Sequence, residues 1–555
     1  MLALCGALLL LVIPFLTRAF HIDDPLFIWA AKHIQTHPAD PYGFSANWYG
    51  ADEPFSTITM NPPGVSFYLA GVGLIAGFSE IAAHGALLVP LLAVAAGTCL
   101  LARRFCSRPL LAAVLGLFTP VFLVSGMTVM SDMLMLAWWV FAVLLWIRAL
   151  EATTPVRHLV FLLSALLIVL AFVTKYFGAA LIPLLLTYSI AKTKKISGCL
   201  AYLLIPILAL LGYELVSRKL YGHGALFDAA AYATTSSIGF GRGTIAKLGV
   251  NFAFLGGCLA SGTIVAARLW SWRQLSLGVS SAIVLTLGIA SLDKFGPFML
   301  PADYSERLLF AGQMGLWIVS GAGWLALAYL DGRGHWNADS LLLGSWFVGT
   351  WVFAAYVNWT TNGRSILPAI VPAGILLARR LERGLPRAAV NRPSTLAHLV
   401  TAAALAWVVV WADTTLAAVS RNTAVEIGHK CSGARRIWFQ GHWGFQYYLE
   451  QLGARPMDVT RRSLTSADRA TPWSLVPGDV VAIPRANNTN LYPIPPEWIS
   501  FREVIDVPST GWIATVNSRI GAGFYSDVSG PLPFAFGLVK PEQFIILDVR
   551  SAPRR

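Results

Sequence analysis

About thirteen stretches of this chain are apolar over most of a membrane's thickness, and no other sequence feature constrains the fold as strongly. A helix crossing the hydrocarbon core needs about 20 mostly apolar residues. Candidate spans lie near 2–17, 82–101, 109–126, 133–150, 158–173, 177–191, 196–215, 248–267, 276–292, 308–328, 341–357, 365–378 and 396–416. The divisions at Asp132 and Lys175 rest on very short gaps. The first run, Leu2 to Leu16, has neither a basic start nor a small-residue cleavage site before Arg18 and is expected as a retained span. Segment 63–78 is also apolar, but it follows Pro62 and holds four glycines and three aromatics, which predicts a helix lying at the interface.

Composition agrees with a bilayer as solvent. Charged residues make up 12% of the 555 residues, about half the usual share of a soluble domain, and mean hydropathy is +0.63. The net charge of +13 comes from basic residues scattered through short gaps between apolar runs, which is topology-setting charge and excludes a nucleic-acid face. The six cysteines form no CxxC pair, so neither a disulfide framework nor a zinc site follows.

Basic residues also orient the chain. The gaps 102–108, 148–157, 192–195, 268–273, 331–340 and 379–392 carry 16 Lys and Arg in 51 residues, whereas the alternate gaps carry 10 in 107. The first set is expected on the cytoplasmic side. Thirteen spans then put the tail outside. That tail, 417–555, mixes strand-like runs such as Val480–Ile483 and Phe544–Leu547 with Pro, Gly and Asn turns, and reads as a mixed α/β domain. The expected organisation is a helical membrane domain over 1–416, with a first outer loop at 18–62 and the interfacial helix at 63–78, followed by an outer α/β domain over 417–555. Neither a solenoid-type repeat nor a pair of inverted halves is visible.

The informative residues lie in the outer gaps. Asp23 and Asp24 follow the first span directly; adjacent carboxylates at a membrane boundary raise at least one proton affinity, as a general base requires. An aspartate before Pro25 also fits a helix cap, and one residue of the pair can cap while the other faces a site. Asp132 stands between two spans with almost no loop around it, and Lys175 is a lone cation in a minimal outer gap. Arg364 follows a glycine turn at the start of a span, placed either to anchor that span or to grip a phosphate with its planar fork. Arg242, between two glycines, and Arg307, beside Glu306, are weaker candidates. The aromatics of the first loop, among them Trp29, Tyr42, Phe44, Trp48 and Tyr49, fit an interfacial belt or the floor of a sugar site. Acids and bases thus gather on one face of the membrane.

The order of these features resembles the GT-C glycosyltransferases, in particular the branch of protein O-mannosyltransferases and aminoarabinose transferases. Asp23-Asp24 after the first span, Asn61-Pro62-Pro63 before an interfacial helix, Asp132, Thr174-Lys175, and Arg364 with Pro368 and Pro372 cover about residues 15–380. The resemblance implies a bacterial inner-membrane enzyme with its C-terminal domain in the periplasm. It implies a single inverting displacement from a polyprenyl-phosphate sugar to a lipid, glycan or protein acceptor. Asp23 or Asp24, with Asp23 favoured, would be the base and Asp132 the second acid. Lys175 and Arg364 would bind the carrier phosphate, with Asn61, Arg307 and Arg242 as further contacts. Asn61 departs from the Lys or His common before the proline pair, and Ser365 from the usual aromatic. Some relatives hold a divalent cation near the acids, but the carboxylates here show no ligand spacing for a metal. The rival reading is a transporter or lipid-sugar flippase, which would place its charges at mid-membrane depth in broken helices.

Overall fold

A computed structural model describes residues 1–235, 240, 244–333, 337–384, 393–458, 475–485 and 491–550. Among them nine helices are long and apolar enough to cross a membrane, ten if one bent pair counts as a single span. The protein is a polytopic helical membrane protein with a C-terminal mixed sheet.

Four of the thirteen expected spans are interrupted or short. The first is a helix to Val12 continued by a tighter turn, Ile13–Phe15, with Pro14 inside it. The run expected over 248–267 is helical as Ile245–Cys258 and then breaks into Ser261–Ile264 and Ala266–Leu269. The run at 365–378 is divided into Gly363–Ile366, a 3₁₀ turn Leu367–Ala369 and Ile370–Gly384, because Pro368 cannot continue the regular ladder. The bent pair is Pro109–Leu117 and Pro120–Gly126, at 71° to each other. Thr119, held extended by the following proline, makes that corner. Here the chain also packs backbone to backbone: a Cβ on Gly116 would lie 2.4 Å from the Ile370 carbonyl, and one on Gly374 2.2 Å from that of Ala112. Segment 63–78 forms the apolar helix Gly64–Ala76, whose Leu74 and Ile75 are exposed.

The tail begins inside a helix. Pro393–Lys430 runs through position 416 without a break and leads to a five-stranded sheet. Its order is Arg455–Pro456, Ile437–Phe439, Val480–Pro484, Glu542–Val549 and Ile499–Val507. The first three strands are parallel, with Phe439 opposite both Pro456 and Ala482, and helix Trp443–Gln451 makes the crossover. The last three are antiparallel, with Ile546 opposite Ala482. Between the final two strands in sequence, residues 513–536 leave the sheet. They sink Ile513, Phe524, Tyr525 and Phe534 into the main helical core. This strap ties the tail to the membrane helices.

Candidate active site

Four of the sequence-predicted residues, separated by up to 341 positions, meet at one point. Each stands at a helix end. Asp23 is the N-cap residue of Asp24–Ile34, Asp132 lies in the first turn of Ser131–Glu151, Lys175 caps the C-terminus of Arg157–Thr174, and Arg364 occupies the short turn Gly363–Ile366. Helix ends expose unpaired backbone groups and so bring polar side chains to a face that a mid-span residue cannot reach. Lys175 forms a short ion pair with Asp132. Arg364 bridges the two acids, 3.4 Å from Asp23 and 3.8 Å from Asp132. Asp132 is sealed, with 1% of its side chain exposed, whereas 32% of Asp23 and 19% of Lys175 reach solvent. With Arg364 14% exposed, the accessible wall of the cluster is one carboxylate, one ammonium and one guanidinium. Arg364 Nε and Asp132 Oδ2 have no hydrogen-bond partner among the described residues, so the cluster retains polar capacity.

Asp24 points elsewhere. It is fully buried and accepts from Arg18 at 3.2 Å, from the His21 amide at 2.9 Å and from the Val129 amide at 2.8 Å. The turn that leads into the two acids is strained, since the β-branched Ile22 holds φ at +50°, a conformation such residues seldom adopt. Burial raises the Asp23 carboxyl above the ordinary aspartate value although Arg364 and Lys175 pull it down. Burial likewise raises Asp24 to about 6 against the pull of Arg18. His21 is buried and pushed down to about 3 by the loss of solvation, with Arg18 adding to the effect, so it is a neutral ring at pH 7.

Asn61 and Arg307 lie outside the cluster. Asn61 contributes its backbone carbonyl to Tyr42 and makes no side-chain contact with the four. Arg307 donates to the Pro301 and Leu292 carbonyls at the head of Tyr304–Gly332. Arg242 lies outside the described residues. No group of three or more His, Cys, Asp and Glu side chains is disposed to hold a metal ion among the described residues, and the space between Asp23 and Asp132 is filled by Arg364.

The Asn61-Pro62-Pro63 stretch still bears on the site through Gly64. A Cβ there would come within 2.6 Å of the Val173 carbonyl and 2.9 Å of the Thr174 Cα. Helix Gly64–Ala76 thus abuts the backbone that presents Lys175. Gly64→Val is expected to force these elements apart, lowering stability by about 1–3 kcal/mol. A thermal melt reads the effect, and an unchanged melting temperature would show that the contact yields freely.

Two supports were not anticipated. Arg18, 1% exposed, donates to Asp24, to Asp413 at 2.8 Å, to the Met127 carbonyl at 2.8 Å and to Tyr525 at 3.2 Å. Tyr525 in turn donates to Asp413 at 2.8 Å and lies under the Arg364 guanidinium, 5.6 Å from its ring centre. The second support is Asp527, which pairs with buried Lys247 at 2.5 Å and accepts from Thr360. The Asp527 amide donates to the Thr361 carbonyl at 2.9 Å, and the Gly363 amide donates to the Phe524 carbonyl at 2.7 Å. The strap thus grips the loop that carries Arg364 from both sides.

A bundle of apolar helices with a charged centre built from their outer-gap ends defines a polytopic membrane protein with a buried polar site. Within it, residues 60–213 match the family model described as dolichyl-phosphate-mannose-protein mannosyltransferase. That match runs from helix Gly64–Ala76 into Gly198–Tyr221 and takes in the helices and loops between them. No curated protein matches the chain. Among solved structures it is similar to the Archaeoglobus fulgidus oligosaccharyltransferase tethered to an acceptor peptide, at 14% identity and a TM-score of 0.44 over 82% of this chain. The chain spans 63% of the length of that protein. It is also similar to ArnT from Cupriavidus metallidurans in the apo state, at 12% identity, a TM-score of 0.43, and 87% and 92% of the two chains. A third is the arabinofuranosyltransferase AftD from Mycobacteria, at 13% identity, a TM-score of 0.44, and 100% and 40% coverage.

Proposed function

We propose that the protein is a membrane glycosyltransferase that moves a sugar from a polyprenyl-phosphate donor to an acceptor on the outer side of a bacterial inner membrane, with the C-terminal domain in the periplasm. The observation that carries this reading is the meeting of Asp23, Asp132, Lys175 and Arg364 at helix ends. A transporter would set such charges within its spans.

In the proposed step, Asp23 accepts the proton of an acceptor hydroxyl. The freed oxygen lone pair forms a bond to the anomeric carbon from the face opposite the phosphate, and the anomeric carbon–phosphate oxygen bond breaks. Its electron pair leaves on the carrier phosphate, and the anomeric centre inverts. Lys175 and Arg364 stabilise the departing charge. Asp132 is the sealed counter-ion that holds the two cations side by side against their mutual repulsion. The base must be ionised to act, so the rate falls as pH drops through the Asp23 pKa, and burial sets that limb above the ordinary aspartate range.

Incubation of the purified protein with labelled lipid-phosphate sugars, followed by tracing of label into membrane fractions, tests the reading. Label in a product with inverted anomeric configuration supports it. Solute flux in proteoliposomes with no transfer from any donor would replace it with the transporter. Lys175→Ala and Arg364→Ala are each expected to weaken carrier-lipid binding about 10- to 100-fold, the worth of a charge-assisted hydrogen bond. Acceptor affinity should change little. Unchanged carrier affinity in both variants would end the phosphate assignment.

A further inference from the structure

The helix that begins at Asp23 leads away from the charged cluster into a separate cleft of about 650 Å³, the size of a small-ligand site. Trp29, Lys32 and His33 share one face of that helix, since residues three and four apart are neighbours on a helix surface. At 1.5 Å of rise per residue, Trp29 lies about 9 Å and His33 about 15 Å along the axis from Asp23. The opposite wall comes from the C-terminal domain, where Trp438, Gln446 and Arg455 line the cleft.

The chemistry of the walls selects a ligand. Trp29, Phe44 and Trp438 line the cleft with aromatic surface, and Asp52, Glu450, Asp458, Lys32 and Arg455 line it with charge of both signs. Three acids against two cations nearly cancel, which favours neither a polyanion nor a polycation. Flat apolar faces ringed by hydrogen-bonding groups of both kinds suit a sugar, whose ring presents C–H groups on its faces and hydroxyls around its edge. Gln446, 1% exposed, fastens the two walls: its amide nitrogen donates to the Asn47 carbonyl of the first loop and to Glu450 of its own helix. A peptide would most simply add as a strand beside Arg455–Pro456, the sheet edge nearest the cleft. That edge is two residues long, and Pro456 has no amide hydrogen to offer.

We infer that this cleft binds an uncharged oligosaccharide, and that it holds the outer units of a glycan acceptor while the terminal hydroxyl meets Asp23. The second half rests on the transferase reading; the binding itself does not. The test uses the full-length protein in detergent and a panel of uncharged gluco-, manno-, galacto- and arabino-oligosaccharides. Saturation transfer to the sugar C–H protons is the readout. At least one probe is expected to bind saturably, and Trp29→Leu should weaken it about tenfold, as loss of a central aromatic anchor does. Asp52→Asn, an exposed position whose change leaves folding intact, should weaken the same probe with an unaltered melting temperature. If no probe saturates, or if both variants bind as the native protein does, the inference is overturned. It is also overturned if an uncharged hexapeptide binds in place of the sugars. Binding with no transfer from any lipid-phosphate sugar would uphold the cleft and sink the transferase. Transfer to a lipid or peptide with no glycan bound would do the reverse.

Discussion

Asp23→Asn should fold, bind the carrier lipid and transfer sugar about 10²–10⁴-fold more slowly, the usual worth of a positioned general base. The structure predicts the opposite phenotype for its neighbour. Asp23 is a third exposed on its side chain and, although it stands at the N-cap, makes no capping hydrogen bond, so removing its charge forfeits little stability. Asp24 is sealed and anchors Arg18 and two backbone amides. Asp24→Asn leaves Arg18 with Asp413 as its remaining acid partner and replaces an acceptor oxygen facing two backbone amides, at an expected cost of about 1–3 kcal/mol. The pair therefore separates chemistry from architecture within two adjacent positions. Labelled transfer assays beside thermal melts distinguish them: Asp23→Asn lowers the rate at constant melting temperature, and Asp24→Asn lowers the melting temperature. In Asp23→Glu the acid limb of the pH–rate profile should survive at a shifted position, whereas in Asp23→Asn it should vanish from the residual rate. Wild-type turnover in Asp23→Asn would remove the base from the mechanism.

The contrast between those two aspartates also marks where sequence reasoning stops. Apolar run length placed a helix in every predicted span, because hydrocarbon solvation acts on each run locally. Pro14, Pro120 and Pro368 interrupt helices within such runs, because a proline lacks the amide that continues the ladder and run length does not register it. Asp23, Asp132, Lys175 and Arg364 were legible because a charge at the edge of an apolar run is costly without a partner. The same rule applied to Asp413, the one acid within the run 396–416, would have called for a cation such as Arg18. The Asp24 role was not legible, since its partners, the Arg18 guanidinium and the Val129 amide, meet it only in the packed fold. The strap was hidden for a different reason. Its pairs, Lys247 with Asp527 and the Gly363 amide with the Phe524 carbonyl, join distant segments with no local periodicity to betray them.

That strap yields the second large effect. Among the described residues Asp527 is the counter-charge to Lys247, and their side chains are 0% and 4% exposed. Lys247→Met or Asp527→Leu alone strands one buried charge, at an expected cost of about 3–5 kcal/mol. The double variant replaces the pair by apolar groups and should recover most of that stability, because the desolvation penalty disappears with the charges. Function should not recover with it. Asp527 also accepts from Thr360, four residues before Arg364, and no leucine can replace that bond. If the strap positions Arg364, the double variant should melt near the native temperature while its carrier lipid binds about tenfold more weakly, the worth of one lost charge-assisted hydrogen bond. If it acts only as glue, carrier affinity returns together with stability. Measuring donor affinity against melting temperature across the two single variants and the double therefore tells a fastening from a positioning device. Full recovery of donor binding in the double variant would reduce the strap to a fastening.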